Sequence, residues 1–163
     1  SSLAAAAASS TPCTWTDAIE DTYLAKCARG TTPCTSYPQL AQAKAACGGD
    51  LDRVPWQRLG LGAYQSVIPT GDKETVSRLL RIPAGKPVPT HSHGGLELTL
   101  VLCGAFSDET GYYGRGDFQE ADETLEHQPH AIAGEDCICL AVTDAPLRFS
   151  SLAARMVQPF IGI

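Results

Sequence analysis

Gly85-Lys86-Pro87-Val88-Pro89-Thr90-His91-Ser92-His93-Gly94-Gly95-Leu96-Glu97 brings two imidazoles and a carboxylate close together in the chain. Successive side chains of an extended strand point to opposite faces, so positions 91, 93 and 97 share one side if the segment stays extended. The Gly94-Gly95 pair lets the backbone bend and return the Glu97 carboxylate beside the imidazoles. A fourth group must come from another strand, and His127 is the candidate, after Gly116 and a short Asp-rich strand and turn. Imidazoles and a carboxylate form a borderline donor set for one divalent cation. Zn, Fe, Mn, Ni, Co and Cu all suit it, with room left for water or a substrate. An imidazole binds metal only when neutral, so occupancy should fall as the pH drops below about 6.5.

Outward from this segment, β-favouring runs recur at Tyr64 to Ile68, Val76 to Ile82, Leu96 to Leu102, Asp117 to Ala121, Ile138 to Val142 and Leu147 to Phe149. Pro69-Thr70-Gly71-Asp72, Pro83-Ala84-Gly85, Gly111, Gly114 and Gly134 punctuate them. Many short strands with no long helices between them predict an all-β sandwich or barrel. The first third differs. Thr16 can cap a helix from about Asp17 to Arg29, and a second helix starts at Pro38, carries Leu40, Ala43 and Cys47 on one face, and stops at Gly48-Gly49. Residues 1–50 are therefore expected to be a helical extension with a floppy Ala-rich start, and residues 51–163 the barrel.

The 163 residues suffice for one core, and a hydrophobic fraction of 44% against 18% charged excludes a disordered chain. A net charge of −6 with no cluster of Lys and Arg argues against direct nucleic-acid binding. No apolar run reaches the ~20 residues that span a bilayer. The seven Cys are an odd number without a scaffold spacing and are read as mostly reduced, one or two disulfides among Cys13, Cys27, Cys34 and Cys47 being the alternative. Leu98, Leu100 and Leu102 make the far side of the ligand strand apolar as well, so a helix or a second subunit must cover it, which favours a homodimer. By parity His130 and Glu126 point away from His127. Cys137 and Cys139 share a face as packing residues, and Cys103 shares parity with Glu97. Asp108, Glu109, Tyr112, Tyr113 and Arg115 fit a solvated hairpin or a binding rim.

Gly85-x5-His91-x-His93-x3-Glu97-x6-Gly104 resembles the first cupin motif at every position. The second motif, Gly-x5-Pro-x-Gly-x2-His, is matched in spacing by Gly116-x5-Asp122-x-Thr124-x2-His127, with its Pro and Gly replaced. The resemblance implies a cupin, a jelly-roll barrel or double-stranded β-helix, with His91, His93, Glu97 and His127 as the metal ligands. His93-Gly94-Gly95-Leu96-Glu97-Leu98-Thr99-Leu100-Val101-Leu102 and Asp136-Cys137-Ile138-Cys139-Leu140-Ala141-Val142-Thr143-Asp144-Ala145-Pro146-Leu147-Arg148-Phe149 are similar to the C-terminal cupin domain of ChrR-type anti-sigma factors. That likeness implies a zinc-binding sensory domain, iron, manganese or nickel being the other candidates. It also implies a cytoplasmic chain that answers a small-molecule or oxidative signal at the metal and regulates a protein partner, a sigma factor. In the family a helical zinc domain with His-x3-Cys-x2-Cys masks the sigma factor, and residues 1–50 contain neither a His nor Cys-x2-Cys. The other function in view is a metal-dependent cupin enzyme, a dioxygenase or isomerase acting on a small carbonyl or enol. No catalytic residue beyond the ligands is assigned.

Overall fold

A computed structural model describes residues 41–45, 48, 50–59, 62–71 and 73–152. The helix expected at Asp17 to Arg29 lies outside the described residues. Of the second helix, residues 41–45 are helical.

Among the described residues there are twelve strands: β1 (Gln57–Arg58), β2 (Tyr64–Ile68), β3 (Val76–Ile82), β4 (His91–His93), β5 (Glu97–Cys103), β6 (Ala105–Asp108), β7 (Gly111–Gly114), β8 (Phe118–Ala121), β9 (Glu126–His127), β10 (His130–Ala131), β11 (Cys137–Thr143) and β12 (Leu147–Phe149). One six-stranded sheet runs β1-β2-β3-β11-β5-β8, and two three-stranded sheets run β10-β6-β7 and β12-β4-β9. All named pairings are antiparallel. The small sheets line a common cavity with the large one, giving the expected all-β cupin barrel.

Strand alternation sorts the large sheet into two faces. Leu79, Leu98, Leu100, Leu102, Ile138, Leu140 and Val142 belong to one apolar cluster, while Arg78, Leu80, Thr99, Cys139 and Ala141 line the lumen. The cluster also contains Ala43, Leu51 and Val54, with Trp56 packed against it. The chain's own Ala43, Leu51, Val54 and Trp56 thus pack against the face for which a homodimer was expected. Leu98, Leu100 and Leu102 are buried without a second subunit, and their apolar stripe is no argument for one.

A bulge between Ile138 and Cys139 shifts the register, so that Cys103 pairs with Ile138 whereas Val101 pairs with Cys139. Cys103 accordingly joins the outer cluster although its parity matches Glu97. Cys103 is disulfide-bonded, a bridge that the reading of mostly reduced thiols did not assign to it. Cys137 and Cys139 are free, buried and on the lumen side. Gly104 turns the chain from β5 into β6 at φ +62°, where an added Cβ would come within 2.5 Å of the Asp136 carbonyl oxygen. Only glycine fits both conditions.

Candidate metal centre

β4 and β9 pair with His91 opposite His127, so one small sheet contributes all three imidazoles from neighbouring strands. His91, His93 and His127 are 3%, 2% and 3% exposed, and their ligand atoms lie within 4.8 Å of one another. The His127 Nε2 atom is 3.1 Å from His91 Nε2 and 3.1 Å from His93 Nε2.

The outer nitrogens fix which ring atoms face inward. His91 Nδ1 lies 2.8 Å from the Pro89 carbonyl oxygen, which can only accept, so Nδ1 carries the proton. Burial lowers the His91 pKa to about 4, partly offset by the bond to Pro89, and the ring is neutral at pH 7 with a lone pair on Nε2. His127 Nδ1 lies 2.7 Å from Oδ2 of Asp108, whose side chain is 0% exposed. Burial of Asp108 opposes its ionisation, but hydrogen bonds from Thr110, Gln119 and His127 outweigh it and hold the pKa at about 2. The carboxylate therefore accepts, and the His127 Nε2 also turns its lone pair inward.

Two nitrogen lone pairs facing each other at this distance repel unless a cation lies between them. At metal–nitrogen bonds of 2.0–2.1 Å, two imidazoles on one ion are separated by roughly 2.9–3.4 Å, depending on the angle between the bonds. The observed spacing falls in that range, so the three histidines fit a divalent ion.

Glu97 comes from β5, in the opposite wall of the barrel, and not from a continuation of β4. The turn between them is tight. Added Cβ atoms on Gly94 and Gly95 would collide with residues 144–146, and Gly94 N–H donates to the Pro146 oxygen at 3.1 Å while Leu96 N–H donates to Asp144 at 2.7 Å. Glu97 Oε2 is 3.3 Å from His93 Nδ1, with Oε1 accepting from Thr99 Oγ1 at 3.0 Å. The His93 Nδ1 contact lacks hydrogen-bond geometry, leaving that buried nitrogen without a hydrogen-bond partner. Burial pushes the Glu97 pKa up, but the close approach of the His93 ring and the bond from Thr99 outweigh it and bring it below the usual carboxylate value.

The altered second motif keeps its turn by other means. Asp122 Oδ1 accepts from Thr124 N–H at 2.9 Å and from Thr124 Oγ1 at 2.6 Å, an Asx turn in place of the missing Pro and Gly. His127 is delivered inward as expected, whereas Glu126 and His130 are exposed. Cys139 bonds to Cys137, their sulfurs 3.5 Å apart, and this bond together with burial pushes its thiol pKa well up, so it stays a packing residue.

Sequence reading missed Asp108 and Gln119. Gln119 Nε2 donates to Asp108 Oδ2 at 2.6 Å, holding the carboxylate against His127. Asp108 sits at the hairpin before Thr110-Gly111 and passes for a turn residue, although it shares parity with the buried Phe106. That alternation was the available signal.

The ChrR Cupin-like domain family matches residues 44–146. The chain belongs to this family. The anti-sigma-E factor ChrR of Cereibacter sphaeroides is 57% identical over 116 residues, which are 71% of this chain and 54% of that protein. The chain spans about half the length of this ChrR relative. The crystal structure of Rhodobacter sphaeroides SigE in complex with the anti-sigma ChrR shares 44% identity at a TM-score of 0.59, over 76% of each chain. An RmlC-like cupin from Ralstonia eutropha, 18% identical with a TM-score of 0.54 over 64% of this chain and 71% of its own, shares the fold. Among the described residues no helix is long and apolar enough to cross a membrane.

Two outcomes follow for this ChrR-like centre. Protonation competes with the metal for Nε2, and a lowered imidazole pKa moves that competition to lower pH. Bound metal, measured after dialysis at graded pH, should be complete at pH 7 and lost progressively from about 6.5 towards the His91 value near 4. In metal-free protein the depressed His91 pKa makes folding stability fall over the same window as the pH is lowered. Full loading at about pH 3 would contradict the ligand set, since neutral imidazole is then scarce. Asp108→Asn should weaken metal affinity by about 10- to 100-fold in chelator competition, because the acceptor that orients His127 loses its charge. Unchanged affinity would remove Asp108 from the centre.

Proposed function

We propose that this chain is the metal-sensing part of a cytoplasmic regulator. It binds one zinc ion through His91, His93 and His127, with Glu97 as the fourth ligand, and couples the state of that centre to a protein partner, a sigma factor. Convergence of the three imidazoles carries the metal assignment. Glu97 is proposed as the fourth ligand on the spacing of the first motif; its Oε2 meets His93 at Nδ1, 3.3 Å away, while His93 turns Nε2 toward His127. A bound zinc would supply positive charge and an exchangeable coordination position, while Pro89, Asp108 and Gln119 orient the imidazoles around it.

The partner rests on the likeness to ChrR, an anti-sigma factor seen in complex with SigE. The functional division is placed at residue 50, with residues 51–163 carrying the barrel and the centre. Residues 1–50 would then stand where the family has its sigma-masking half. Ala43 buries against the barrel, which gives a route by which strain in the large sheet reaches that extension.

Elemental analysis of the purified full chain, paired with capture of a SigE-type sigma factor, tests this reading. One zinc per chain, loss of that zinc on His127→Ala, and sigma-factor retention that changes when the metal is removed are expected. Iron, manganese or nickel accompanied by oxygen uptake on small diketones would overturn the regulatory reading in favour of an enzyme.

A further inference from the structure

Arg78 occupies the middle of β3 and points into the barrel, where it is 4% exposed. Its register neighbours across the sheet are Ala141 on β11, then Thr99 on β5, then Gln119 on β8. The small side chains of Ala141 and Thr99 leave space beside the guanidinium. Arg78 Nε and Nη1 are buried without a hydrogen-bond partner. Among the described residues no carboxylate forms an ion pair with it, and Glu97 acts on it only as a more distant charge. A buried, unpaired guanidinium is costly and calls for a partner.

The other polar groups facing the lumen are engaged. Thr99 donates to Glu97, and Gln119 donates to Asp108 and to Thr110. Arg78 is thus the buried cation with donors to spare. The lumen has a volume of about 110 Å³, and Leu80, Ile82, Phe106, Ala141 and Phe149 give it apolar walls. We propose that the lumen is a binding site for a compact organic monocarboxylate, its carboxylate held by the Arg78 guanidinium and its apolar body packed against those walls.

Each part of that description has a cause. Guanidinium offers donors and no acceptor, and its planar fork matches a carboxylate. Glu97 lines the same cavity and repels a second negative charge, which favours a monoanion over a phosphate dianion. At about 110 Å³ the lumen is smaller than the roughly 150 Å³ apolar cavity that accommodates benzene, which limits the body to a short aliphatic chain. The binding rests on Arg78 alone; the role of such a ligand as a signal rests on the regulatory reading above.

Isobutyrate and its neutral isostere isobutyramide are suitable probes, titrated calorimetrically into the zinc-loaded full chain. Isobutyrate should bind at least about tenfold more tightly than isobutyramide, since a charge-assisted bond is lost with the neutral amide. Arg78→Met should abolish that preference, and Arg78→Lys should keep part of it. Absence of isobutyrate binding, equal binding of the two probes, or isobutyrate affinity that survives Arg78→Met would overturn the proposal, the last by placing the carboxylate on the metal. Should Arg78→Met fail to fold, Arg78→Lys and the isobutyrate–isobutyramide comparison on the unaltered chain still decide. Zinc content and sigma-factor capture are read on the same samples, so failure of this site is distinguishable from failure of the regulatory reading.

Discussion

Three imidazoles turned toward one point, two of them with their outer nitrogens held by acceptors, form the constraint around which this barrel is organised. The Pro89 carbonyl and the Asp108 carboxylate leave His91 and His127 no choice but to face each other lone pair to lone pair at 3.1 Å. Between neutral rings such an arrangement is favourable only around a cation. The neighbouring elements serve that geometry: an Asx turn at Asp122 delivers β9, the Gly94-Gly95 passage against residues 144–146 separates β4 from β5, and Gln119 braces Asp108.

The imidazoles come from a three-stranded sheet and Glu97 from the six-stranded one, so a metal held by all four residues, as proposed, would tie those two sheets together. A change in its coordination would be felt in β5, whose outer side carries Leu98, Leu100 and Leu102 under Ala43, Leu51 and Val54. Packed cores transmit small displacements, since close-packed side chains have no slack to absorb them. This packing connects the three-histidine site to Ala43, Leu51 and Val54 on the outer side of the sheet.

Much of this was legible before the fold. Strands β2, β3 and β12 match the β-favouring runs residue for residue, because each is bounded by turn chemistry and packs at least one apolar face. The histidines were legible through family spacing, and parity correctly separated His127 from Glu126. Parity failed at Cys103, where a bulge in β5 leaves Leu102 without a register partner on β11, and a bulge leaves no local mark in sequence. It also could not tell that Glu97 belongs to a different sheet from His91 and His93. Asp108 was hidden because its contact with His127 spans the gap between hairpins, and a turn explains an Asp well enough on its own. The homodimer was inferred from an apolar face that the chain covers itself.

X-ray absorption at the metal edge of the native full chain tests the central claim most directly, because it counts the imidazoles on the ion and identifies the remaining donors. The account predicts a zinc edge with scattering from three imidazole rings, His91, His93 and His127, and a light oxygen donor from Glu97. Sulfur in the coordination sphere, or fewer than three imidazoles, would contradict it.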